Sequence, residues 1–231
     1  MEVINDFLSL IYPRHCEACS NNLFKHEVFV CNYCRLSLPK SNYHNNPANE
    51  LTGVFAGRIP FVHALSFYVF EKSGRVQKLL HAIKYQNQKQ LAEFIGKEYA
   101  GDLIKNNIFS GVDLIVPVPL HRNKLKTRGF NQSEWFAKGL AVNLNIQLDT
   151  ATLVRKTETN TQTKKRKYQR WENVEGIFEL TDTESFKNKH ILVIDDVITT
   201  GATIEAAWQC IKNVEGIKIS IAAIAFAAKK T

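Results

Sequence analysis

The chain has 231 residues, of which 23% are charged and 45% hydrophobic, and a formal net charge of +8. That length holds one α/β domain plus a small appendage, and the ordinary balance of charged and apolar residues excludes a disordered or fibrous polymer. No uncharged apolar run approaches the roughly 18–20 residues that span a bilayer, so no membrane insertion is expected. The N-terminus, with Glu2 and Asp6 beside a short apolar patch, does not read as a signal peptide, and a cytoplasmic location is expected.

The positive charge is concentrated in two places. Residues 155–170 hold seven Lys/Arg against one acid, and residues 121–128 hold four against none. Such runs are either solvated faces or sites for a polyanion, and both fall on predicted loops.

In chain order, residues 1–12 carry Phe7, Leu8, Leu10 and Ile11, a pattern for a short amphipathic helix packed on the rest of the protein. Cys16-x-x-Cys19 and Cys31-x-x-Cys34 follow, two CxxC pairs separated by eleven residues. Each pair can form a tight knuckle with both sulfurs on one side, and two knuckles close a tetrahedron around zinc. So small a segment buries little core, and a structural zinc would supply folding energy on the order of 10–16 kcal/mol. Disulfides are the alternative, disfavoured in a chain read as cytoplasmic. Four thiolates leave no open position, so the metal role is structural, and His15 and His44 read as bystanders. Residues 1–38 are thus expected to form an N-terminal helix and zinc ribbon. Residues 39–60, with Pro39, Pro47, Pro60 and an Asn-rich patch, read as a linker or meandering loop.

Residues 61–231 are expected to form the main domain. Residues 65–70 read as a strand, and Ser73 as the cap of a helix with Val76, Leu79, Leu80 and Ile83 on one face. That helix ends at Lys84 and Tyr85, either a cation and a ring offered to a ligand or a surface lysine beside a packed tyrosine. A second helix carries Leu91, Phe94, Ile95 and Tyr99. Residues 113–120 form the next strand, stopped by Pro117 and Pro119. A basic loop with Arg122, Lys124 and Arg128 then leads into a helix opened by Asn131, Gln132 and Ser133, and this is a candidate pyrophosphate site. After a strand near 151–155, residues 157–170 have few apolar side chains and are expected to be mobile. Gln162, Arg166 and Arg170 are candidate ligand contacts there.

The decisive stretch begins at residue 191. Ile191, Leu192, Val193 and Ile194 read as a buried parallel strand, followed by Asp195 and Asp196, then Thr199, Thr200, Gly201, Ala202 and Thr203, then a helix with Ile204, Ala207, Trp208 and Ile211 on one face. In open α/β sheets, ligands bind at the carboxyl ends of strands. Hydroxyls, a flexible glycine and free N–H groups at a helix start suit a phosphate monoester. The paired acids repel that phosphate and suit the hydroxyls of a ribose, directly or through a divalent cation. Residues 217–227 form a last strand, and Cys210 reads as a small core residue.

Residues 193–203 resemble the phosphoribosyl-diphosphate (PRPP) motif of type I phosphoribosyltransferases. The resemblance narrows when these are combined with the four cysteines, Ile83-Lys84-Tyr85, Pro117-Val118-Pro119, Arg128-Gly129-Phe130-Asn131-Gln132, Thr159-x-x-Gln162 and Arg170-x-x-Asn173-x-x-Gly176-x-Phe178. In this order they resemble the ComF family, zinc-ribbon proteins with a phosphoribosyltransferase-like domain, linked to bacterial competence for DNA uptake or named for gluconate utilisation. One departure is that Gln162 is followed by Thr163 and four consecutive basic residues.

The resemblance implies an α/β, parallel-sheet, type I phosphoribosyltransferase-like domain with a structural zinc held by Cys16, Cys19, Cys31 and Cys34. It also implies PRPP bound with magnesium: Asp195 and Asp196 as catalytic residues on the ribose hydroxyls, the 199–203 loop on the 5-phosphate, and Arg122, Lys124 or Arg128 on the leaving group. The acceptor is not identified by any residue group. A DNA-uptake protein that binds single-stranded DNA through the same cationic loops is the alternative, and a scaffold whose ribbon recruits another protein, such as a competence helicase, is a third.

Overall fold

The computed structural model describes residues 13–156 and 176–228. The expected N-terminal helix, and the expectations for residues 157–170 including Gln162 and Arg170, lie outside the described residues.

A five-stranded sheet forms the centre. Its strands are β1 (Ala64–Val69), β2 (Leu114–Pro117), β3 (Gln147–Leu148), β6 (His190–Ile198) and β7 (Lys218–Phe226), ordered β1-β7-β6-β2-β3. All four pairings are parallel. β4 (Leu153–Arg155) and β5 (Phe178–Leu180) form a separate antiparallel pair. The two central strands explain themselves by composition. Ile191, Leu192, Val193 and Ile194 of β6 are fully buried, as are Ile221, Ala222, Ala223 and Ala225 of β7, which is the signature of a parallel strand covered on both faces.

Helices are α1 (Asn32–Ser37), α2 (Glu50–Phe55), α3 (Arg75–Tyr85), α4 (Lys89–Lys105), α5 (Arg122–Arg128), α6 (Gln132–Leu144) and α7 (Ala202–Ile211). α4 and α6 cross at two glycines. A Cβ on Gly96 would lie 2.3 Å from the Phe136 carbonyl oxygen, and one on Gly139 2.1 Å from that of Glu93, so the crossing requires the absence of side chains. Among the described residues, no helix is long and apolar enough to cross a membrane.

Three expectations need correction. The stretch 39–60 does not meander. Asn49 accepts the Thr52 N–H at 3.1 Å as the cap of α2 and donates to the Ala64 carbonyl at 3.2 Å, while Leu51 and Phe55 are fully buried. Its asparagines and prolines cap and turn rather than loosen. Ser73 does not cap α3; it takes a left-handed conformation (φ 64°), Gly74 is the N-cap, and the Ser73 N–H donates to Gln77 Oε1. The basic loop 122–128 is the helix α5, held at its start by the His121 ring accepting the Asn123 N–H at 3.2 Å and ended by Gly129 at φ 78°. No residue of α5 is buried, so no apolar face announces it in the sequence.

The cysteine module is fastened to the main domain. Arg35 makes a two-pronged contact with Glu98 of α4, both bonds 2.6 Å, and Lys40 Nζ lies 2.8 Å from Asp102 Oδ2. Gln88 Nε2 donates to Glu17 Oε1 at 2.9 Å just before α4 begins.

Candidate ligand site and metal centre

β6 carries its apolar run to the sheet's carboxyl edge and ends in two half-buried acids. Asp195 Oδ1 accepts the Asp196 N–H at 2.8 Å and faces the Ser133 hydroxyl at 3.4 Å. Asp196 Oδ1 accepts the Val197 N–H at 2.6 Å, and its Oδ2 pairs with Lys84 Nζ at 3.0 Å. Burial, and then the neighbouring Asp196 charge, push the Asp195 carboxyl up to about 7, against the opposing pull of the Asp196 N–H, Lys84 and Ser133. The Asp195 carboxyl therefore titrates near neutrality, beside an Asp196 that is ion-paired to Lys84.

Three element ends converge on these acids. Lys84 sits in the last turn of α3, where a cation is favoured by the helix dipole. Tyr85 beside it is 65% exposed, and the Arg128 guanidinium stands 5.8 Å from its ring centroid. Arg128, at the end of α5, donates to Gln132 Oε1 at 2.8 Å. The start of α6 is fixed by Asn131, which accepts the Ser133 N–H at 3.2 Å and donates to the Val118 carbonyl at 3.0 Å. Lys84, Tyr85, Arg128, Asp195 and Asp196 thus occupy one place. Ser133, which the sequence marks only as part of a helix start, joins them through its hydroxyl. Arg122 and Lys124 lie exposed on α5 and form no ion pair with either acid.

Past the acids, β6 leads through Thr199 and Thr200, both exposed, into Gly201. Gly201 takes φ 76° and is buried, and a Cβ there would stand 2.5 Å from Phe55 Cε1. Only glycine meets both conditions. α7 starts at Ala202 with no side-chain cap, and Ala202 and Thr203 are exposed on its first turn. The first backbone N–H groups of the helix are left for a ligand or water, with the positive end of the dipole behind them.

The second site is the cysteine cluster. The Sγ atoms of Cys16, Cys19, Cys31 and Cys34 all lie within 4.8 Å of one another, and Cys19 and Cys31 are 3.7 Å apart as free thiols. A zinc–sulfur bond of about 2.3 Å implies tetrahedral edges of roughly 3.8 Å, so the cluster fits zinc. Burial pushes the Cys16 thiol up, but backbone N–H groups, among them that of Cys31 at 3.3 Å, outweigh it and bring it down to about 7. Burial raises Cys31 and Cys34, a cost that a bound cation would offset. His15 and His44 stand outside the four-cysteine cluster.

Residues 131–231 match the phosphoribosyl transferase domain family. The DNA utilization protein YhgH of Escherichia coli K12 is 29% identical over 139 residues, covering 58% of this chain and 60% of that protein. The competence protein ComFC of Bacillus subtilis is 25% identical over 209 residues, covering 82% and 80%. Competence protein F of Haemophilus influenzae is 26% identical over 147 residues, covering 61% and 64%. The chain therefore spans about three fifths of the length of the E. coli relative. Sheet, acid pair and glycine turn define an α/β phosphoribosyltransferase-type domain, joined here to a four-cysteine module that can hold a metal. By these relatives the chain is similar to the ComF-type competence proteins.

Proposed function

We propose that this chain binds PRPP with magnesium at the carboxyl end of β6 and serves competence or DNA uptake on the cytoplasmic side of the membrane. One observation carries the proposal. Paired acids, one of them ion-paired to Lys84, sit immediately before an uncapped helix start whose glycine turn cannot accept a side chain. The 199–203 loop would take the 5-phosphate, Asp195 and Asp196 the ribose hydroxyls, and Arg128 with Tyr85 the pyrophosphate side. Arg122 and Lys124 are proposed to reach the same anion from α5.

Phosphoribosyl transfer separates a cationic sugar from pyrophosphate, so the residues that matter neutralise the leaving group and hold the sugar still. Asp195 and Asp196 would hold magnesium, which when bound supplies charge to the pyrophosphate. Lys84 would hold Asp196 in place through their ion pair, and Ser133 would direct Asp195 toward the diol. Transfer to an acceptor is part of the proposal; the acceptor is left open. Residues 1–38 are proposed as the zinc-stabilised unit, with zinc on the four cysteines, and 61–231 as the phosphoribosyltransferase-like unit. Calorimetric titration with PRPP, with and without magnesium, tests this: saturable, magnesium-dependent heat supports it, and its absence refutes it.

A second reading has its own support. α5 presents Arg122, Lys124 and Lys126 exposed on a helix with no buried residue, a face suited to nucleic-acid phosphates. A relative carries the name DNA utilization protein. Single-stranded DNA would then bind with steep salt dependence, and charge reversal at Lys126, which the PRPP assignment does not use, would weaken it while leaving PRPP binding unchanged.

A further inference from the structure

Beside the 199–203 loop, on the side where Phe55 meets Gly201, a cleft of about 690 Å³ is lined by Glu50, Val54, Arg58, Thr199, Thr200 and Phe226, among others. Arg58 spans its wall. Its Nη1 donates to the Thr200 carbonyl and to the Val54 carbonyl, each at 3.0 Å. Its Nη2 is ion-paired with Glu205, and its Nε lies 3.4 Å from Glu205 Oε1. Glu205 sits in the first turn of α7, the helix whose N-terminus faces the proposed phosphate.

We infer that Arg58 is a positioning residue for the anion loop, acting through the Thr200–Gly201 peptide and through Glu205. The inference rests on the assignment of residues 199–203 to a phosphoryl group and names what holds that loop in shape. A peptide is planar, with its C=O and N–H pointing in opposite directions. Pinning the Thr200 carbonyl to Arg58 therefore aims the Gly201 N–H away from Arg58, toward the other side of the turn. The buried Gly201 against Phe55 and the Arg58 bond to Val54 tie the same turn to α2, so the loop is braced at two points by one short helix. The guanidinium also answers a charge problem. A carboxylate in the first turn of a helix favours the helix but opposes an anion arriving at the same N-terminus. The two-pronged contact holds Glu205 toward Arg58 and cancels its charge.

A lysine cannot reproduce this, because a single ammonium lacks the planar fork that reaches two carbonyls and a carboxylate together. Arg58→Ala, Arg58→Lys, Glu205→Gln and the pair Arg58→Ala with Glu205→Gln separate the two effects. The probe is ribose 5-phosphate, which needs neither magnesium nor a pyrophosphate site. Arg58→Ala is expected to weaken it about tenfold or more, and Arg58→Lys to fall between Arg58→Ala and wild type. Glu205→Gln added to Arg58→Ala is expected to recover part of the loss. In the ligand-free protein, exchange of the Glu205 amide, which donates to the Gly201 carbonyl at 2.9 Å, should quicken in Arg58→Ala while amides of β7 stay protected. Wild-type binding of ribose 5-phosphate with equal affinity in Arg58→Ala, or unchanged exchange of the Glu205 amide, overturns the role of Arg58. Failure of the wild-type chain to bind ribose 5-phosphate overturns instead the phosphoryl assignment, and with it Arg58's place in anion binding.

Discussion

Lys84 and Asp196, 112 positions apart in sequence, meet at 3.0 Å with side chains only 20% and 16% exposed. The contact ties the end of α3 to the end of β6. A pair this sheltered is costly to break from one side, because the remaining charge is left half-buried. Lys84→Met is expected to lower stability by about 1–2 kcal/mol, read from urea unfolding, and to weaken PRPP binding. Unchanged stability and affinity would show the pair to be incidental.

Asp195 sets a pH dependence whose sign is opposite to that of an ordinary ion-paired carboxylate. Its unfolded value is 3.8 and its folded value about 7. Between those values the folded chain holds more protons than the unfolded one, so this group's contribution to stability falls as pH rises through the window. Asp195→Asn should remove that slope and gain about 1–3 kcal/mol relative to wild type on going from pH 4 to pH 8, measured by denaturant titration at each pH. An identical slope in the variant would place the elevated titration elsewhere.

Gly201 offers a packing test. Alanine there must tolerate φ 76° and a Cβ 2.5 Å from the Phe55 ring. Gly201→Ala is expected to cost about 2–4 kcal/mol. Phe55→Leu in the same chain should return part of that loss, since it relieves the contact but not the backbone strain. No recovery on thermal unfolding would assign the whole cost to the left-handed conformation.

The cysteine cluster gives a metal prediction. One zinc per chain is expected by elemental analysis, and its removal by a chelator should unfold the module first, because little apolar core surrounds it. The Arg35–Glu98 and Lys40–Asp102 contacts carry that loss to α4, so the main domain should melt several degrees lower. A metal-free chain with two disulfides, or one indifferent to chelation, would contradict the assignment.

How legible these features were in the sequence follows from their range. The ribbon and the turn at 199–203 are encoded locally, by cysteine spacing and by a β-branched run passing into acids, threonines and glycine. α3 and α4 announce themselves by apolar faces. α2 does not: its core is Leu51 and Phe55, too few to show a period amid asparagines and prolines. α5 does not either, because it buries nothing. Arg58 was invisible for a different reason, since its partners Thr200 and Glu205 lie 142 and 147 positions away. Ser133 could have been suspected from its place at a helix start beside the basic run, although only the fold puts its hydroxyl on Asp195.

The most direct test of the whole proposal is calorimetric titration of PRPP with magnesium into wild-type protein and into Asp195→Asn with Asp196→Asn. Saturable heat in the wild type, lost in a double variant that remains folded, is the expected result. No heat in the wild type, or equal heat in both, would contradict the assignment of a phosphoribosyl site to the end of β6.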